Sequence, residues 1–155
     1  FMGEMYPFIG SKVWNDAREE ARSLIKQTDF EAYASDIDGD CGELAKKTVH
    51  NAGMDGIVKV FRRNALEITN EGRRGTIVCN PPYGERLLDI KEAEKLYAAM
   101  GRHFKTLEPW QIYIITSNEN FERLYGRKAD AKRKLYNGMI PCTSYQFFKK
   151  RTGTK

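Results

Sequence analysis

Apolar positions recur along the chain with two spacings, and their alternation predicts the elements. Val13, Trp14, Ala17, Ala21, Leu24 and Ile25 repeat at helical spacing behind Ser11, a candidate cap, with Arg18, Glu19, Glu20 and Arg22 on the solvent face. Phe30 to Ile37 predicts a strand. A helix from about Cys41 to Ala52 follows, with Leu44, Ala45, Thr48 and Val49 on one face and Gly53 just past its end. Ile57–Phe61 and Thr76–Cys79 predict further strands, the second buried, with a basic turn over 72–75 between them. Asp89 to Lys105 predicts a helix with Ala93, Leu96, Tyr97, Met100 and Phe104 inward. Gln111–Thr116 is an apolar strand, and a short helix from Ser117-Asn118 stops at Gly126. Leu135-Tyr136, Asn137-Gly138 and Met139-Ile140 spell a hairpin of the type I′ kind, whose return strand runs through 143–148. Strands alternating with helices predict an α/β fold with a mostly parallel sheet.

One stretch departs from simple patterning. Thr76-Ile77-Val78-Cys79 runs without a gap into Asn80-Pro81-Pro82-Tyr83-Gly84-Glu85-Arg86. Two consecutive prolines fix φ and offer no N–H, so the chain must leave the sheet there. The result is a stiff hook at the carboxyl end of a strand, where open α/β sheets bind ligands. Such a hook suits an exocyclic amine on a nucleobase. That nitrogen carries two N–H groups and a lone pair spread into the ring. Two acceptors, one per N–H, draw the lone pair back and hold the nitrogen in line. The Asn80 side-chain oxygen and the Pro81 carbonyl supply them, Pro82 stiffens the turn, and the Tyr83 ring can stack on a flipped base. No strong base is required, because the amine becomes acidic once methylated.

A second group of candidates lies earlier. An acidic residue at the end of a strand in a nucleotide-binding βαβ unit commonly accepts from ribose hydroxyls, which points to Asp36, with Ile37 against an adenine ring. Asp38 or Asp40 caps the next helix, Asp40 being favoured. Asp36, Asp38 and Asp40 fail as a calcium loop, since no glycine stands sixth and no Glu twelfth.

Composition narrows the partners. Lys and Arg outnumber Asp and Glu by 26 to 21, a basicity compatible with a polyanion. Arg127, Lys128, Lys132, Arg133 and Lys134 are either a solvated surface or phosphate contacts. Cys41, Cys79 and Cys142 lack metal-ligand spacing and read as reduced thiols of a cytoplasmic protein, with no metal expected. His50 reads as a surface residue. No apolar run is long enough for a membrane span.

Asn-Pro-Pro-Tyr resembles the fourth motif of S-adenosylmethionine-dependent amino methyltransferases. With Gly84-Glu85-Arg86 and the hairpin segment from Lys132 to Phe148, the chain resembles the guanine-N2 methyltransferases of large-subunit ribosomal RNA, a branch often labelled N6-adenine DNA methylases. The resemblance covers about 14 to 148. It implies a Rossmann-like three-layer sheet with an antiparallel carboxyl-terminal hairpin, S-adenosylmethionine as cofactor, and guanine N2 in 23S ribosomal RNA as target. N6-adenine in DNA, or a non-catalytic nucleic-acid-binding role, are the alternatives. Where the wider class has an Asp that accepts from the adenine amino group, this chain has Asn64, followed by Ala65. The first strand and glycine-rich loop of the family have no counterpart before Asp36. We therefore expect 14–150 to be part of a catalytic domain, 1–13 an aromatic loop or arm, and 151–155 a tail. The isolated chain is expected to bind cofactor weakly and to close its sheet or self-associate through exposed edges.

Overall fold

The computed structural model describes residues 2–26, 29–84 and 90–148. Among these, the strands form a two-stranded and a four-stranded sheet. β1 (Ala32–Asp36) and β2 (Val58–Arg62) are parallel, in register from Ala32↔Val58 to Asp36↔Arg62. The helix between them, α2 (Gly39–Asn51), packs on both. Its cap is Asp38, whose carboxylate accepts from the Asp40 amide at 2.8 Å, so Asp40 falls in the first turn and is not the cap. The reason is local. Asp36 Oδ1 accepts the Asp38 amide at 2.9 Å and turns the chain one residue pair earlier. Gly53 has φ 67° and closes the helix as expected.

The larger sheet has the order β3-β4-β6-β5. β3 (Thr76–Cys79) and β4 (Gln111–Thr116) are parallel, while β6 (Ile140–Phe147) is antiparallel to both β4 and β5 (Ala131–Asn137). α3 (Ile90–Lys105) and α4 (Phe121–Tyr125) cover one face. Ala93, Tyr97, Met100 and Phe104 recur at the helical period and are all at most 1% exposed. They meet Ile77, Ile112, Ile114, Tyr145 and Phe147 from the strands. Phe121 joins the layers, with ring centroids 5.2 Å from Tyr97 and 4.8 Å from Tyr145. Gly126, at φ 78°, ends α4 as the pattern predicted.

Other expectations change. β3 is buried on one face only. Ile77 points at the helices, but Val78 is 82% exposed. The sheet does not close up: no ladder joins β1–β2 to β3 among the described residues. The two parts connect through 65–68, since Ala65, Leu66 and Ile68 pack on the main core and His103 Nε2 lies 2.9 Å from the Ile68 carbonyl. α1 (Ser11–Ser23) has no buried residue, and its cap position is Gly10, with no side-chain bond, so Ser11 lies inside the helix. Arg18 leaves the predicted solvent face to pair with Glu4, from a short 3-10 turn at Met2–Met5 within the expected arm. The hairpin turns one residue later than predicted. Asn137 pairs with Ile140, leaving Gly138-Met139 as the loop, and Gly138 alone has positive φ, 61°. A left-handed residue in the first loop position is the II′ pattern, which spares Asn137 and Met139 the cost of a left-handed backbone.

Candidate active site at the carboxyl end of β3

Asn80 follows the last residue of β3 and is exposed, Pro81 is buried, and Pro82 and Tyr83 are half-buried. Gly84 has φ 92°, and a Cβ there would lie 3.0 Å from the Ile90 backbone, so the close return to α3 needs glycine. Glu85 and Arg86, the end of the extended motif, lie outside the described residues, as does Asp89.

The hook is pinned from below. The Tyr97 hydroxyl donates to the Pro82 carbonyl at 2.7 Å and lies 3.1 Å from Thr116 Oγ1. A carbonyl only accepts, and Tyr97 has one proton, so Thr116 must be the donor in the second bond. The Asn118 amide in turn donates to Thr116 Oγ1 at 3.2 Å. The chain of donors runs from the end of β4 through α3 into the hook. Tyr97 and Thr116 are at most 1% exposed, so the bonds are made where water cannot replace them. Tyr97→Phe keeps the ring but strands the Pro82 carbonyl and the Thr116 hydroxyl. We expect a loss of about 1–3 kcal/mol, read by urea denaturation of the chain.

Above the hook the Tyr83 hydroxyl donates to Asn80 Oδ1 at 2.6 Å. It accepts from Asn137 Nδ2 at 3.5 Å and lies 3.7 Å from Cys142 Sγ. Burial, and then the Cys142 contact, push the Tyr83 phenol above its ordinary range. Burial alone pushes the Cys79 thiol up to about 11, so it is neutral and unreactive near pH 7.

The earlier candidates also fall together. Asp36 ends β1 and Ile37 follows it, 65% exposed. The Arg63 amide donates to the Asp36 carbonyl at 3.0 Å, and Arg62 Nε to the Ile37 carbonyl at 3.1 Å. These bonds bring the end of β1 beside Asn64 and Ala65. Asn64 has a duty the motif did not announce. Its Oδ1 accepts the Leu66 amide at 2.9 Å and caps the 3-10 turn Ala65–Glu67, which leaves that oxygen one further lone pair.

Two of the five basic candidates are already engaged, Lys132 with Glu122 and Arg127 with Asp130. His50, exposed, has a neighbour in Asp55 at 3.2 Å. An open depression of about 410 Å³ lies beside it, lined by Lys46, Lys47, His50, Asn51 and Asp55, and includes no residue of the hook. No helix among the described residues is long and apolar enough to cross a membrane.

Sequence reasoning missed Tyr97, Thr116, Asn137 and Cys142 as parts of the site. One signal was available: a tyrosine on the inward face of a helix needs a partner for its hydroxyl.

Parallel strands joined through helices, with the last strand set antiparallel between β4 and β5, form the fold of a Rossmann-like methyltransferase domain. The family described as "RMKL-like, methyltransferase domain" matches residues 2–146, and the chain belongs to it. "Putative RNA methyltransferase YpsC" of Bacillus subtilis (strain 168) is 40% identical over 151 residues, covering 97% of this chain and 39% of the relative. "Ribosomal RNA large subunit methyltransferase K/L" of Shewanella baltica (strain OS185) is 33% identical over 135 residues, covering 84% and 19%. Among solved structures, "SMU.472, a putative methyltransferase complexed with SAH" aligns with TM-score 0.84 and 35% identity, over 97% of this chain and 40% of that one. A "predicted N6-adenine-specific DNA methylase" from Listeria monocytogenes aligns with TM-score 0.79 and 36% identity, over 94% and 37%. The chain thus spans about two fifths or less of these proteins' lengths.

Proposed function

We propose that this chain carries the target-amine hook of a methyltransferase that uses S-adenosylmethionine to methylate an exocyclic amino group of RNA, guanine N2 of 23S ribosomal RNA being the specific target. The observation that carries this reading is an exposed Asn80 acceptor on a double-proline turn whose carbonyl is pinned by buried Tyr97. Asn80 Oδ1 and the Pro81 carbonyl accept the two N–H groups of the amine, and the Tyr83 ring stacks on the base. The nitrogen, its lone pair localised, attacks without a strong base, and its surplus proton leaves to water.

The residues at the ends of β1 and β2 fit the adenosine part of the cofactor. Asp36 offers an exposed carboxylate to ribose hydroxyls, and Ile37 an exposed apolar surface to the adenine. Asn64 and Ala65 complete that side. When bound, the cofactor supplies an electrophilic methyl carbon. The names of the YpsC and K/L relatives favour RNA, and that of the Listeria structure favours DNA as the second reading.

The test is transfer of labelled methyl groups by the whole protein to a large-subunit ribosomal RNA transcript and, in parallel, to duplex DNA. Nucleoside mass spectrometry should find N2-methylguanosine in the RNA. N6-methyladenine in the DNA alone would replace this reading with the second, and no transfer to either would reject both. Localisation in the cytoplasm, where that RNA is found, is part of the same proposal.

A further inference from the structure

The β5–β6 hairpin outreaches the sheet that carries it. The last pair between β4 and β6 is Thr116↔Thr143, yet β5 and β6 go on pairing through Leu135↔Cys142, Tyr136↔Pro141 and Asn137↔Ile140. At about 3.4 Å per residue the tip stands about 10 Å beyond the carboxyl end of β4, on the edge of the sheet where the hook lies. One face of this overhang is fastened to the hook, with Asn137 Nδ2 3.5 Å and Cys142 Sγ 3.7 Å from the Tyr83 hydroxyl. Side chains alternate along a strand, so Lys134 and Tyr136 are on the opposite face.

Tyr136 is 74% exposed, and Met139, at the apex, is 96% exposed. A lone exposed apolar side chain needs no explanation. Position sets these two apart, because they crown an overhang tied to the hook. Charge points the same way. From Ala131 to Phe148 the hairpin carries Lys132, Arg133 and Lys134 and no Asp or Glu. Lys132 is held by Glu122. Arg133 and Lys134 are exposed, one on each face of β5, and have no ion-pair partner among the described residues. Since β5 is the edge of the sheet, cations there also deter pairing with another chain. Guarding an edge accounts for the cations but not for the tyrosine and methionine beside them.

Building on the amine-methylation reading, we propose that the overhanging hairpin tip is an RNA-docking surface beside the hook. Tyr136 and Met139 cover base faces bared when the target base swings out, and Arg133 and Lys134 hold the adjoining phosphates. Flipping a base breaks its stacking on both neighbours. Apolar side chains at the gap restore part of that contact, and an aromatic ring accepts the face of any base. Cations on the two faces of an edge strand meet a backbone draped over it, which fixes register without reading sequence. Because Asn137 and Cys142 tie the tip to Tyr83, RNA seated on the tip is in register with the hook.

The experiment uses the whole protein and the ribosomal RNA transcript, and compares wild type with Arg133→Ala/Lys134→Ala and Tyr136→Ala/Met139→Ala. In a salt series read by filter binding, the first pair should reduce the slope of log Kd against log salt by about 1.5, the share of two phosphate contacts on a single strand. The second pair should keep the wild-type slope and lower kcat/KM for RNA about 5- to 100-fold, the size of stacking lost on one base. Neither pair should change Tm or the calorimetric affinity for S-adenosylmethionine, since all four side chains are exposed. A wild-type slope in the first pair, a wild-type kcat/KM in the second, or losses matched by a fall in Tm or in cofactor affinity each overturn the docking surface and leave the methyltransferase reading intact. If the cations only guard the edge, the first pair aggregates by light scattering with its salt slope unchanged, which also overturns it. A wild type that transfers no methyl group to the transcript overturns both.

Discussion

Asn80→Ala in the whole protein lowers kcat about 10²- to 10³-fold and leaves RNA affinity nearly untouched, the size of effect seen when one preorganised polar contact to a reacting group is removed. In free energy this is about 3–4 kcal/mol of lost transition-state stabilisation. The reasoning rests on where charge develops. On the proposed reading, the target nitrogen is planar in the ground state and its N–H bonds to Asn80 and Pro81 are ordinary. As the lone pair localises and the methyl group arrives, the nitrogen becomes cationic and its N–H groups become much stronger donors. The Asn80 oxygen is therefore worth most in the transition state, and its loss appears in kcat more than in KM. Asn80 is exposed, so truncating it should leave the fold in place, which thermal denaturation of the variant confirms or denies. Single-turnover methyl transfer, alongside a filter-binding measurement of RNA affinity, reads both quantities. Turnover within a fewfold of wild type would remove Asn80 from the chemistry.

Gly101→Ala should be the most destabilising glycine-to-alanine substitution among the described residues. A Cβ at 101 would lie 1.9 Å from the Tyr125 carbonyl oxygen and 2.7 Å from its carbon. Both are backbone atoms, so no side chain can rotate away, and α3 and α4 must move apart. Tyr125 closes α4 just before the left-handed Gly126, and its ring lies 4.6 Å from that of Phe147. Separating the helices opens the Phe121 cluster at the centre of the core. Overpacking commonly costs about 1–3 kcal/mol, and a backbone clash this close belongs at or above the top of that range. For a chain of this size that is a fall of about 6–12 °C in Tm, measurable by circular dichroism. Tyr97, which pins the hook, is one turn before Gly101 on α3, so activity should fall as well. A variant with the wild-type Tm would show that the two helices do not approach this closely in solution.

Much of the fold was legible because it rests on near neighbours. The inward stripe of α3 follows from a 3.6-residue period, the break after Cys79 from two fixed φ angles, and the end of α4 from a glycine that accepts a left-handed backbone. The Asn-Pro-Pro-Tyr string likewise announced its shape, because two fixed φ angles turn the chain out of the sheet directly after β3. Local competition was harder to read: Asp36, Asp38 and Asp40 are all plausible caps, and only the bond from Asp38 to Asp36 decides among them. One shift in the hairpin loop moved Asn137 from turn to ladder.

The amino-acid order alone determined the alternating elements and the stiff turn after β3, with the acceptors that the proposed amine grip uses. The tertiary structure alone decided what surrounds that turn: Tyr97 reaching Pro82 across 15 positions, Asn137 and Cys142 reaching Tyr83 across 54 and 59, and the one-sided burial of β3. Backbone preferences act over a few residues. These contacts depend on how helices and strands dock, and a hydrogen bond between distant side chains leaves no periodic trace in the chain that makes it.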